Sequence, residues 1–402
     1  MSTLAGTRQR HLRSIFIVLA KEVRENLRDR RTLVSAFVTG PLLGPFFFVM
    51  LIVVMVNQQL DKATQSLPVP VIGATYAPHV VDALKAGGIE PQPAVADPAR
   101  AVRDQDADVV VRIAPDYPQA WRRGEPVQVE VFFDSSRRDA ATAVERVTQL
   151  IDGYARQQAA MRLVARGMSP ALATPVVVAR RDQATPQARA VLLLNILPYF
   201  FVLTILMGGM YLAIDLTAGE RERQSLEPLF ANPVPRWQIL AGKLLAIAAF
   251  SLSSLFLCLL VFAFVGRLVP ADKLGMEVDL GWHFAAFVLL LQLPMVALFA
   301  ALQSLVAAFA KSFREAQTYL SLLMMVPIIP SVLLMAMPVK PQSWMYLVPL
   351  LGQHLGILDL LRGGEVGAAH LGLCLAGTSL AALVAVLVTA HLYRSEKLAI
   401  SA

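Results

Sequence analysis

The residues best placed to do chemistry lie in one short segment, Asp215 to Lys243, which reads DLTAGERERQSLEPLFANPVPRWQILAGK. Gly219 is followed by four alternating charges, Glu220, Arg221, Glu222 and Arg223. Leu226, Leu229 and Phe230 then give a small apolar face ahead of Pro233, Pro235 and Trp237. A short amphipathic helix joined to a proline-stiffened turn makes a compact knob, able to dock in a groove of another protein and pass force to whatever it is joined to. An ordinary charged loop fits the same residues, and Trp237 and Lys243 alone read as interface anchors. Other groupings fall short of a site. Gly242-Lys243 lacks the upstream glycine and the following Ser or Thr of a phosphate-binding loop. Asp104, Asp106 and Asp108 alternate without the Gly and distal Glu of a calcium hand and read as a solvated face. Cys258 and Cys374 lie in apolar stretches outside any disulfide or zinc spacing, as small packing residues do.

The elements that carry this segment are set by composition. Of 402 residues, 56% are hydrophobic and 16% charged, against about 25% charged in an average soluble domain. Mean hydropathy is +0.57. Such a chain is an integral membrane protein. A bilayer core needs about 20 apolar residues as a helix. Stretches free of Asp, Glu, Lys and Arg meet this at 32–60, 190–214, 244–266, 284–310, 316–339 and 366–393. A further apolar piece, 343–358, holds Pro349, Gly352, Gln353, His354 and Gly356 and suits a re-entrant or interfacial segment rather than a seventh span. The expected organisation is therefore a cytoplasmic amphipathic helix at 1–31, a first span at 32–57, an inserted domain at 58–189, a five-helix region at 190–393 and a tail at 394–402. The coupling segment is 215–243.

Basic residues set the orientation. They crowd the first 31 residues (Arg8, Arg10, Arg13, Lys21, Arg24, Arg28, Arg30, Arg31) and recur after the second, fourth and sixth spans. The short loops on the opposite side hold only Arg267, Lys273, Lys340 and Arg362. Both termini are expected in the cytoplasm. The apolar run after Arg30-Arg31 is too long for a signal peptide and lacks a nearby small-x-small site, so an uncleaved first span is expected.

The inserted domain lies on the outer side by the same rule. Val69 to Ala74, Ala107 to Ile113 and Val127 to Phe133 read as strands, and Pro78 to Lys85 and Pro115 to Trp121 as short helices. A long helix is expected over Arg138 to Gly167. Its seam of Val144, Val147, Ile151, Tyr154 and Met161 either packs on the domain's own sheet or meets a second copy. Near the N-terminus, Leu12, Ile15, Leu19, Val23 and Leu27 recur three or four residues apart, with Lys21, Arg24, Arg28 and Arg30 on other faces. That helix is expected in the inner headgroup layer, on the lipid membrane or against a partner protein at the membrane.

The pattern G-E-R-E-x-x-S-L-E-P-L-x-A-x-P-V-x-R-W-x-I-L-x-G-K resembles the signature of type 2 ABC exporter permeases, in particular their NatB-like sodium- and drug-exporter branch, and the order of elements is similar along nearly the whole chain. The resemblance implies an α-helical membrane protein of six transmembrane helices with an interfacial N-terminal helix and a mixed α/β extracytoplasmic domain between spans one and two. It implies a permease subunit rather than an enzyme. Contact with an ABC ATPase subunit would fall on Gly219, Glu220, Arg221, Glu222, Leu226, Glu227, Pro228 and Pro233. Gln224 departs from the family, where Gly usually precedes the Ser or Thr, and Asn232 replaces a Thr or Ser.

The chain itself then needs no cofactor; ATP and Mg sit on the partner ATPase. A second permease chain, identical or not, completes the pathway, and no nucleic-acid partner is expected. A bacterial inner membrane is the implied location. Sodium, a hydrophobic drug or a lipid-like molecule is the implied substrate. Span interiors lack Asp, Glu, Lys and Arg, so Asn195, Gln292 and Gln303 are candidate pathway residues, though such side chains more often serve as interhelical hydrogen-bond partners. Asp215, at the end of the second span, joins them as the carboxylate nearest the bilayer. Pro198, Pro294, Pro327 and Pro330 should kink spans. A membrane-anchored sensor would need a cytoplasmic signalling module that the short cytoplasmic pieces cannot fold. A non-ABC secondary transporter would need intramembrane charge or an evident repeat.

Overall fold

The computed structural model describes residues 2–64, 66–173, 183–225, 234–268, 280–336, 340–364 and 366–394. The chain forms two compact units, one of Met1–Val56 with Gln183–Ala402, the other of Asn57–Asp182. The tail expected at 394–402 lies, beyond Arg394, outside the described residues.

The first unit is a helix bundle. Among the described residues six helices are long and apolar enough to cross a membrane: Arg30–Gln58, Leu197–Glu222, Arg236–Leu268, Trp282–Phe309, Phe313–Leu334 and Ala368–Arg394. They are called spans one to six below. An N-terminal helix, α1 (Ser2–Asn26), precedes them. Asp29 caps the start of span one, its carboxylate accepting from the Arg31 and Thr32 N–H groups.

Several boundaries differ from the hydropathy reading. Residues 190–194, expected in span two, belong to a separate short helix (Pro186–Leu194), which Thr185 caps by accepting from Ala188 N–H at 3.1 Å. Asn195 and Ile196 form the turn before span two. Pro198 therefore sits in a first helical turn, where no N–H is needed, and kinks nothing. Span three starts at Arg236, well before the apolar stretch begins, because Gln238 and Lys243 find buried partners. Span five breaks at 324–327, where Pro327 ends the Phe313–Leu323 helix; Pro330 falls in the first turn of Ile328–Ala336. Pro294 lies inside one continuous helix.

Close packing of spans two, three and four depends on Gly208 and Gly209. A Cβ at Gly209 would stand 2.6 Å from Ser251 Oγ and 2.7 Å from Gln303 Oε1. The segment 343–358 becomes a single turn, Ser343–Leu347, and a buried helix, Leu351–Leu361. Eleven residues are too few to cross a bilayer. Gln353 fastens that helix, accepting from Leu350 N–H at 2.8 Å and donating to Thr378 Oγ1 at 2.6 Å.

The second unit is an α/β fold. Strands β1 (Leu67–Ile72), β2 (Ile89–Gln92), β3 (Val109–Ile113) and β4 (Val129–Phe133) lie in the order β2-β1-β3-β4. The first two pairings are parallel and β3–β4 is antiparallel. Its helices are α2 (Pro78–Ala86), α3 (Pro98–Arg103), α4 (Tyr117–Arg123) and α5 (Arg138–Ala165). Pro68 and Pro70 are tolerated in a central strand because β1 pairs with β2 through 67–70 and with β3 only from Val71 on. One face of the sheet packs Val69, Val71, Val109, Val111 and Ile113 against α2 and α5; Val110, Ile72 and Phe132 pack on α3 on the other. Of the long-helix seam, Val144, Val147, Ile151 and Tyr154 pack on the domain's own sheet, while Met161 is exposed. Asp104 pairs with Arg100 and Asp108 with Arg137. β2 (IEPQ) and α3 (PARAVR) escaped the sequence reading because neither is a Val- and Ile-rich run and both are too short to show a helical seam.

Candidate functional site

The coupling segment grows directly out of span two. That helix loosens into a π-helical turn, Asp215–Gly219, and ends with one tight turn, Glu220–Glu222. π-turns are frequent at functional sites because they re-aim the side chains that follow. The chain then closes as a left-handed cap: Gln224 adopts φ +55°, Ser225 N–H donates to Glu220 O at 2.9 Å, and Ser225 Oγ donates to the same oxygen at 3.1 Å. A left-handed residue is where glycine costs least, so Gln224 occupies a position that suits glycine better than a residue with a side chain. Leu226, Glu227, Pro228 and Pro233, together with Leu229, Phe230 and Asn232, lie outside the described residues.

Two of the charges expected on an exposed knob instead fasten it. Glu220 is buried and paired with Lys243 of span three, whose ammonium also donates to Leu216 O at 2.9 Å. Lys243 is 1% exposed, so it is no interface anchor. Burying a lysine requires a counter-charge and filled hydrogen-bond sites, and the Leu216 carbonyl of the π-turn fills one of them. Glu222 accepts from Phe313 N–H at 2.7 Å, capping the first turn of span five. Asp215 pairs with Arg223 and so folds the segment back on its own span. Arg221 is half-buried and Gly219 is buried.

A third acid, Glu22 of α1, is 2% exposed and joins this cluster. Burial pushes its carboxyl up from the ordinary range, while Lys21 and Lys243 pull it back. Helix α1 docks along the base of span three. A Cβ on Gly242 would meet Val18 Cβ at 2.6 Å, His11 bonds to Gln238, and the His11 ring stands 5.9 Å from Trp237. The apolar seam expected on α1 divides: Ile15, Leu19 and Val23 are half-buried, whereas Leu12 and Leu27 remain exposed beside Phe16. Tyr393 of span six packs on Leu240 and Leu244 next to the cluster. Sequence reasoning missed Glu22; the signal available was an acid set among apolar residues at helical spacing.

The other pathway candidates lie apart from this cluster. Gln303 is buried and donates to Leu206 O at 2.6 Å, and its Oε1 faces Ser251 Oγ across Gly209. Gln292 is buried, with neither amide atom bonded to a described residue. Asn195 sits at the turn before span two. None of these three lines the large cavity beside the coupling segment. That cavity, of about 1150 Å³, lies among spans one, two and five. Met207, Met210, Tyr211 and Met324 form its walls, and Arg30, Arg31 and Arg314 contribute positive charge. Glu222 is the one carboxylate among its described lining residues.

This arrangement performs no bond chemistry. It ties a short basic and acidic turn to the bases of three spans and one surface helix, so a push on the turn reaches all four. The family described as ABC-2 family transporter protein matches residues 37–389. The ABC transporter permease protein NatB of Bacillus subtilis (strain 168) is 26% identical over 353 residues, which is 86% of this chain and 89% of that one. No solved structure matches.

Proposed function

The chain belongs to the ABC-2 family of transporter proteins, and from that premise we propose that it is the membrane half of an exporter driven by a separate ATPase. A multi-pass ABC permease subunit is a transporter part and not an enzyme. The finer reading is that the ATPase docks on the segment from Gly219 to Pro233 and that ATP and magnesium bind on that partner. Both termini and the coupling segment face the cytoplasm, the 57–182 domain faces outward across a bacterial inner membrane, and two permease chains, alike or different, frame the pathway. The observation that carries this reading is the fastening of the segment: Glu220 to Lys243 of span three, Glu222 to Phe313 N–H of span five. A loop that only retained one side of the membrane would need no buried ion pair.

Among sodium, a hydrophobic drug and a lipid-like molecule, the cavity favours the last. Its walls combine methionine and aromatic side chains with Ser35, Thr39, Ser312 and Gln317, and among the described lining residues three arginines against one already bonded carboxylate repel a bare cation and attract an anionic headgroup. The test is ATP-driven transport by the chain reconstituted with the ATPase encoded beside it. Arg221→Glu is expected to abolish complex formation and transport while leaving membrane insertion intact. Anionic amphiphiles should stimulate ATP turnover, and Arg31→Glu with Arg314→Glu should remove the stimulation. Transport that survives Arg221→Glu overturns the docking assignment, and stimulation by sodium alone overturns the substrate class.

A further inference from the structure

We propose that the 57–182 domain carries a binding site of its own for a small planar aromatic acid, at the carboxyl ends of β1 and β3. The location follows from topology. The chain leaves β1 toward β2 on one side, then crosses back to β3 on the other, so the strand order reverses between β1 and β3. In open α/β sheets the crevice beyond the strand ends at such a reversal is where ligands bind, because the connecting loops diverge there and leave space. Here that space is a cavity of about 270 Å³. The chain turns away from β1 at Gly73, whose φ is +77° and whose missing side chain lets Ile113 O of β3 come close.

The walls define the ligand. Tyr117 and Trp121 of α4 are stacked at 5.8 Å and 10°, and Tyr154 of α5 continues the stack at 6.3 Å and 21°. Arg162 sits 3.9 Å over the Trp121 ring and donates to the Trp121 carbonyl at 3.3 Å, which holds the indole in place. Tyr76, 40% exposed, stands at the rim. A set of nearly parallel rings offers faces and edges that a flat ring can extend. Arg122 supplies a fixed positive charge to the lining, with the His79 imidazole beside it, and no carboxylate lines the cavity among the described residues. Aromatic surface with a cationic rim fits a ring that carries a carboxylate, held by charge-assisted hydrogen bonds. The volume admits one or two fused rings.

The test uses the full chain in nanodiscs and fluorine NMR line broadening of two probes, 4-fluorobenzoate and 5-fluoroindole-3-acetate, with empty nanodiscs as the reference. At least one probe is expected to broaden beyond that reference. Arg122→Ser and Tyr76→Ala change exposed side chains and should each weaken the effect about tenfold, as loss of one strong contact does. The neutral 4-fluorobenzamide should bind about tenfold more weakly than the benzoate. No broadening by either acid at millimolar concentration overturns the site. Equal broadening in the wild type and both variants overturns its location. Equal binding of acid and amide overturns the anionic class.

Discussion

Lys243 shows how one side chain decides the behaviour of a whole segment. Its ammonium is removed from water and held by Glu220 and by the Leu216 carbonyl of the π-turn. Removing one partner strands a charge, whereas removing both leaves an apolar gap, and the two outcomes differ in size. Glu220→Ala should therefore lower stability by about 3–5 kcal/mol, and Glu220→Gln with Lys243→Met should recover most of that loss. Thermal unfolding in detergent reads both; equal losses in the single and double variants would show that the charges are not coupled. Gln224 bears the opposite kind of strain. At φ +55° a side chain is disfavoured, so Gln224→Gly should gain about 0.5–1 kcal/mol in the same assay.

At the scale of elements, α1 is half surface helix and half bundle member. Ile15, Val18 and Leu19 face span three, while Leu12, Phe16 and Leu27 leave an apolar strip between that docked face and the exposed Arg13, Arg24 and Arg28. Glu22 lies on the docked side. The folded protein holds the Glu22 proton more tightly than the unfolded chain does, because burial raises its carboxyl. Ionising it therefore costs stability at neutral pH. That cost is complete above the raised folded value and absent below the ordinary glutamate range. Glu22→Gln should raise the unfolding midpoint at neutral pH, and the gain should vanish as the solution is made acidic. A neutral-pH loss instead would mean that attraction to Lys21 and Lys243 outweighs burial.

At the scale of the whole molecule, the bundle and the 57–182 domain have separate cores. The domain packs helices on both faces of its sheet and contains no cysteine, so its apolar core alone must hold it together. Residues 57–182 expressed alone should fold as a soluble domain with one cooperative transition in circular dichroism; a molten or insoluble product would show that the spans are needed for its order. Span five is only 17% buried and span six 22% buried, which leaves long apolar surfaces for lipid or for the second permease chain proposed above.

Much of this protein was legible in its residues. Hydropathy is additive along a chain, so six apolar stretches marked six spans; β1, β3 and β4 stood out as Val- and Ile-rich runs between chain-breaking residues, and α5 by its apolar seam. The charged turn after Gly219 stood out because alternating charge beside a span is a local pattern. What pairs across distance was not. Glu220 and Lys243 stand 23 residues apart, Glu222 caps a helix 91 residues away, and Glu22 reaches their cluster from another helix. Nothing in linear spacing says which acids go inward. Only packing decided that, because a buried charge is stable solely where the fold brings its partner and a free carbonyl to the same point.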